Sequence, residues 1–172
     1  MKIKVVDNFL EDKIFFSLCH LVLCELDFPW SYTSGVAHNA SEGKQDGFYF
    51  VHSIFEDGKG FVTPFPALRS RLKPLSKLLG MKQLLRARLL LYVNQGKQIV
   101  HDKHVDFDFS HHAFLLYLNS NNGYTEFHHE DRPSEKILST RNRAVFFDGS
   151  KFHNSSTLTD KRRRVVLAVN YL

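Results

Sequence analysis

His104, Asp106 and His153, with Arg164 at the head of the last apolar run, are the residues whose types and spacing could do chemistry. Two imidazoles and one carboxylate make a donor set suited to Fe(II), holding the ion from one side and leaving the other side open. On a β-strand, residues i and i+2 point to the same face, so His104 and Asp106 can share one ion while Val105 points away. The chain has ten histidines, so a single His-x-Asp could arise by chance and means little alone. Its surroundings give it weight. His153 follows a strong strand pattern, Ala144-Val145-Phe146-Phe147, and the turn Asp148-Gly149-Ser150, which can bring it back beside an earlier strand. Arg164 opens the run Val165 to Tyr171 and by parity shares a face with Val166, Ala168 and Asn170. A cation on the inner face of an apolar strand needs a partner, and a carboxylate ligand beside the metal would supply one. Arg162 has the same parity and is the alternative, whereas Arg163 points the other way.

Such residues need a β scaffold, and the sequence provides one after Gly80. Stretches 86–93, 98–101, 113–119, 124–127, 143–147 and 164–171 read as strands separated by Gly, Asn, Asp and Ser turns. Before Gly80 the pattern differs. Residues 2–6 read as a short edge strand and 48–55 as an aromatic strand, followed by a turn at Glu56-Asp57-Gly58-Lys59-Gly60. A helix is expected over 10–26, capped by Asp7 or Asn8, with Ile14, Leu18, Leu21, Val22 and Leu26 in one stripe. Residues 34–44 read as a mobile loop. A second helix over 65–79 has Pro66 in its first turn, Gly80 at its end and an apolar face of Leu68, Leu72, Leu75 and Leu79. Pro74 falls inside it and should kink or split it. Helices first and many short strands after suggest helices buttressing one side of an antiparallel double sheet.

At 172 residues the chain is long enough for one domain with a real core. Sixteen Phe suit a sheet-rich interior better than a helical bundle. No stretch approaches the roughly 18–20 apolar residues of a membrane span. The start, Met1-Lys2-Ile3-Lys4-Val5, lacks the apolar core of a signal peptide, so a reducing cytoplasm is expected. Cys19 and Cys24 do not stack on a helix face and read as buried free thiols. The net charge of +5 permits an anionic partner without demanding one, and Lys161-Arg162-Arg163-Arg164 reads as the solvated start of a strand. The pairs His111-His112 and His128-His129 read as exposed loop residues. His20, His38, His52 and His101 carry no recognisable chemistry.

Taken together, His104-Val105-Asp106, Leu115 to Asn119, Gly123 to Phe127, Arg143 to Gly149, His153 and Arg164 resemble the core of Fe(II)- and 2-oxoglutarate-dependent dioxygenases, nearest the prolyl 4-hydroxylase-like branch. Val5 to Leu10 also resembles the start of such domains, so the likeness spans nearly the whole chain, although its specific motifs lie in the last 70 or so residues. It implies a mainly β fold, a double-stranded β-helix (jelly roll) supported by N-terminal helices. The whole of 1–172 would be one oxygenase domain, with helical support at about 7–80 and the jelly-roll core at about 86–172. His104, Asp106 and His153 would ligate iron, and Arg164 would pair with the distal carboxylate of 2-oxoglutarate. Tyr117 matches a position where relatives place a hydroxyl on that carboxylate, and Tyr92 matches another co-substrate tyrosine; either could instead be a core aromatic with a wet hydroxyl. O2 would be the oxidant and ascorbate a candidate reductant.

Two departures place the chain within that likeness. Collagen-type prolyl hydroxylases commonly carry Lys where this sequence has Arg164. The nucleic-acid demethylase branch typically has a second Arg six residues further on, where this chain has Asn170, so a nucleic-acid partner is not favoured. The implied reaction is hydroxylation of a C–H bond, of a prolyl residue or a small molecule, with release of succinate and CO2. The alternatives are a non-catalytic metal-binding jelly roll, a nucleic-acid-modifying oxygenase, and a cupin-type dioxygenase that works without a 2-oxo acid. Loops at 31–47, 56–63 and 128–140 are the expected walls of the substrate site.

Overall fold

A computed structural model of the chain describes residues 2–35 and 47–172. The elements in chain order are β1 (Lys4–Val6), α1 (Asp12–Leu23), β2 (Ser31–Thr33), β3 (Tyr49–Glu56), β4 (Gly60–Phe61), α2 (Pro66–Leu79), β5 (Leu84–Val93), β6 (His112–Tyr117), β7 (Tyr124–Phe127), β8 (Glu135–Leu138), β9 (Ala144–Asp148), β10 (His153–Ser155) and β11 (Arg163–Tyr171). A large antiparallel sheet runs β1-β9-β6-β11-β5-β3-β2, with β4 hairpinned onto β3, and a small sheet runs β10-β7-β8. Period-two alternation sorts the side chains. On β11, Val165, Leu167, Val169 and Tyr171 join the core shared with α1 and α2, while Val166 packs with Phe127 of the small sheet. The result is helices, large sheet and small sheet in layers, the mainly β jelly roll that the sequence led us to expect.

Several elements differ from expectation for physical reasons. The first helix starts at Asp12, because Asn8 takes a left-handed φ of 51° and Leu10 exchanges two hydrogen bonds with the Asn142 side chain. It ends at Leu23, leaving Leu26 99% exposed outside the stripe, and its most buried side chain is Phe15. The second helix has Pro66 in its first turn and Gly80 as a left-handed C-cap, and it continues through Pro74 without splitting. Leu68 and Leu75, buried on the sheet, hold its two halves. The expected strand at 98–101 reduces to a single bridge, Val100 to Ser156. Strand β8 forms inside the expected loop 128–140, paired with β7. Cys19 is half-buried, but Cys24 is exposed, against the expectation of two buried thiols. The expected loop at 34–44 lies, apart from Ser34 and Gly35, outside the described residues. Among the described residues no helix is long and apolar enough to cross a membrane.

Candidate metal centre

The triad does not sit on one regular strand. His104 forms an isolated bridge to His153, each backbone N–H donating to the other's carbonyl at 2.9 Å, and beyond it the chain bends away from any strand. The bridge sets the two imidazoles side by side, with ring centroids 4.6 Å apart. Asp106 is turned in by its own N–H, which donates to the Gly149 carbonyl. One ligand atom from each of His104, Asp106 and His153 then lies within 4.8 Å of the others. Nδ1 of His153 donates to the Lys151 carbonyl at 2.9 Å and Nδ1 of His104 to the Asp102 carbonyl at 3.4 Å. A carbonyl can only accept, so both Nδ1 atoms carry a proton, which leaves each Nε2 as the ring's remaining ligand atom for an ion.

Electrostatics prepare the same outcome. Burial, then the neighbouring His153, pushes the His104 pKa down to about 4, so this ring is neutral at pH 7. Burial would raise the Asp106 carboxyl, but His153, Arg86, Asn170 and His104 outweigh it and hold the group below its ordinary value. Asp106 is clamped on both oxygens. Arg86 Nη2 donates to Oδ1, and Asn170 Nδ2 donates to Oδ2 at 2.9 Å. Asn170 accepts from Arg86 Nε at 3.2 Å through its Oδ1 and lies 3.1 Å from Nε2 of His111. Supports of this kind orient a carboxylate ligand.

Arg164 faces inward at the other end of the same strand face and is 1% exposed. Its guanidinium donates to Ser139 Oγ at 2.6 Å, Thr125 Oγ1 at 2.9 Å and the Ser156 carbonyl at 3.4 Å. Every one of those acceptors is neutral. The guanidinium also lies 5.1 Å from the centre of the Tyr92 ring and 5.4 Å from that of Tyr117. Tyr117 donates to Thr125 Oγ1, and Tyr92 accepts from Ser155 Oγ. Burial pushes both phenols up, so they are neutral hydroxyls at pH 7. The structure thus gathers His104, Asp106 and His153 at one place and Arg164, Tyr92 and Tyr117 at another. Arg162 and Arg163 are exposed.

Sequence reasoning missed the supports. His111, expected to be exposed, is buried against Gly149 and Asn170, and a Cβ on Gly149 would collide with its ring. His112 is exposed as expected. His128 is half-buried and bonds Asn154, and the His129 ring is fully covered. His101 is buried, stacked on Tyr92 at 5.3 Å and paired through Nδ1 with Ser155 Oγ. His52 is buried between the Pro29 carbonyl and Thr63, and His38 lies outside the described residues. Alternation along 84–93 could have shown that Arg86 and Arg88 share the Tyr92 face of β5.

A cavity of about 370 Å³ opens beside the triad, lined among others by His104, Asp106, Tyr49, Tyr92, Arg86 and Arg88. Among the described residues of the expected walls, Thr33 and Gly35 from 31–47 line it. The segment 56–63 instead borders a separate cavity under α2, and 128–140 contributes β8 and the Ser139 partner of Arg164.

No protein-family model and no curated protein matches this sequence. Solved structures do match its fold. The chain is similar to a prolyl hydroxylase from Trichoplax adhaerens in complex with a peptide fragment of the hypoxia-inducible-factor oxygen degradation domain, at TM-score 0.72 and 16% identity, covering 99% of this chain and 83% of that one. It is similar to an oxidoreductase of the 2OG-Fe(II) oxygenase family from Burkholderia pseudomallei, at TM-score 0.73 and 12% identity, covering 98% and 84%. It is also similar to the epimerase SnoN in complex with Fe3+, alpha-ketoglutarate and nogalamycin RO, at TM-score 0.63 and 12% identity, covering 99% and 78%. The jelly roll of this chain is therefore the fold of prolyl hydroxylases and 2OG-Fe(II) oxygenases.

Proposed function

We propose that this protein is an Fe(II)- and 2-oxoglutarate-dependent dioxygenase that hydroxylates a C–H bond, with all of 1–172 acting as one domain. The observation that carries the reading is Arg164. A buried guanidinium with no carboxylate among the described residues costs several kcal/mol in isolation. Such a cost is offset when a ligand supplies the anion, and this one lies in the same interior as a triad of two imidazoles and one carboxylate whose ligand atoms converge. His104 and His153 would hold iron through Nε2 and Asp106 through a carboxylate oxygen. Arg164 would take the distal carboxylate of 2-oxoglutarate in a fork of N–H donors, with Tyr117 and Tyr92 beside it. Bound together, iron and 2-oxoglutarate would activate O2, the 2-oxo acid being oxidised to succinate and CO2 as the substrate gains a hydroxyl. Ascorbate is a fitting reductant for iron that strays from the ferrous state. The chain's own contribution is geometry. Arg86 and Asn170 fix the carboxylate plane, the Lys151 and Asp102 carbonyls fix both imidazole tautomers, and the sheets keep water from Arg164. The two cysteines are free, which suits the reducing cytoplasm.

Anaerobic addition of Fe(II) and 2-oxoglutarate to metal-free protein tests this directly. A visible metal-to-ligand charge-transfer band is expected in wild type and should weaken in Arg164→Ala. His104→Ala and His153→Ala should lose both the band and tight iron binding. Bound iron without a band would leave only a metal-binding jelly roll or another oxygenase class. Full turnover in either histidine variant would overturn the ligand assignment.

A further inference from the structure

Arg88 is a cation in the metal-side cavity that the reading above leaves without a task. It lies one same-face step from Arg86 along β5, about 7 Å at strand spacing. Arg86 is committed to Asp106, Asn170 and the face of the Phe107 ring. Arg88 is not committed in that way. Its Nε is buried and has no hydrogen-bond partner, and its Nη2 stands 3.6 Å from Glu56 Oε1, beyond hydrogen-bond reach. Glu56 is itself already engaged by Lys59 Nζ at 2.8 Å.

The charge of the cavity decides what would be welcome there. Asp106 is the single acid in its wall among the described residues, against Arg86 and Arg88. With Fe(II) and the 2-oxoglutarate dianion in place their charges cancel. In the cavity wall Arg86 and Arg88 then exceed Asp106 by one positive charge, and Glu56, 3.6 Å from Arg88 outside that wall, is shared with Lys59. An anion is favoured in such a site over a neutral or cationic group. An arginine fork pairs best with a carboxylate, through two parallel N–H donors. The cavity, about 370 Å³, is at the small end of ligand pockets.

Resting on the oxygenase reading, we propose that the primary substrate is a small organic acid whose carboxylate is held by Arg88, the carbon to be hydroxylated being directed toward the triad. Arg88 is thus a substrate-anchoring residue, distinct from the co-substrate anchor Arg164.

The test uses full-length protein loaded anaerobically with Fe(II) and 2-oxoglutarate. Free amino acids and C4 to C6 aliphatic acids are titrated against the amide of each, and against a capped aspartyl tripeptide. Binding is read as a shift of the charge-transfer band, then as substrate-dependent succinate release in air. At least one free acid should bind ten or more times tighter than its amide. Arg88→Gln should erase that preference while the Fe(II)–2-oxoglutarate band and the melting temperature persist, and Arg88→Lys should restore part of it. Equal binding of acids and amides, no acid binding at all, or undiminished acid binding in Arg88→Gln would overturn the assignment. Tighter binding of the tripeptide than of any free acid would overturn the small-molecule class. Absence of the band in wild type would remove the oxygenase reading beneath it, a failure visible before any substrate is added.

Discussion

Gly123 lies where the strand pattern of the small sheet meets the Arg164 side chain. A Cβ built there would stand 2.7 Å from Arg164 Cδ and 2.8 Å from Asn121 Oδ1, with the Thr157 carbonyl 3.1 Å away. Gly123→Ala should therefore displace the guanidinium while leaving the triad intact. The expected result is at least a tenfold rise in Kd for 2-oxoglutarate with iron affinity unchanged, read by titrating the charge-transfer band. His101 offers a test of a different kind. Burial, then the positive charge of Arg164, pushes its pKa down to about 4. The unfolded chain, with an ordinary value of about 6.5, binds a proton more readily, so the contribution of His101 is complete above pH 6.5 and lost as pH falls toward 4. The loss should reach about 3 kcal/mol at most. His104 is shifted in the same direction, so the comparison that isolates His101 is denaturant unfolding of metal-free wild type and His101→Gln at pH 7 and pH 4.5. The variant should lose less stability on acidification. At this scale residue types were legible in the sequence, because a His-x-Asp, a later His and an inward Arg are local facts. Their supports were not. Arg86 and Asn170 meet Asp106 from two different strands, with His111 behind Asn170, and no local pattern announces a contact across strands.

Elements were legible where one physical signal decided them. Alternation gave β5, β6, β7, β9 and β11 to within a residue or two, and a glycine with φ 62° ended α2 where expected. The signal failed where distant partners decide. Asn142 ties down Leu10 and delays α1, and Ser155 and Thr157 bond the backbone of Ile99 and His101 without a regular ladder. Strand β8 is short and mostly charged or exposed, so it reads as a loop until β7 lies beside it. The revised boundaries of α1 carry a prediction. Phe15 is 0% exposed and packs beneath the Arg141 guanidinium, so Phe15→Ala should cost about 3–5 kcal/mol. Leu26→Ala, outside the helix and in water, should change stability by less than about 0.5 kcal/mol. Urea unfolding of both variants checks the pair.

For the whole molecule, ligands that bind only the folded state must raise its stability, by about 2.7 kcal/mol when present at a hundred times their Kd. Anaerobic Fe(II) should raise the melting temperature of wild type, and 2-oxoglutarate should raise it again. In Arg164→Ala the first rise should remain and the second shrink. The layered architecture makes this coupling direct, since β11 carries Arg164 at one end and Asn170 at the other while pairing with both β5 and β6. That central position has a consequence during synthesis. Strands β5 and β6 leave the ribosome well before β11, which alone lies between them, so each waits with a row of open N–H and C=O groups. Until residue 171 has emerged, the nascent chain can neither close its largest sheet nor assemble a binding site. Ribosome pausing between 117 and 163 would thus prolong an aggregation-exposed state without ever releasing a chain that holds a complete site.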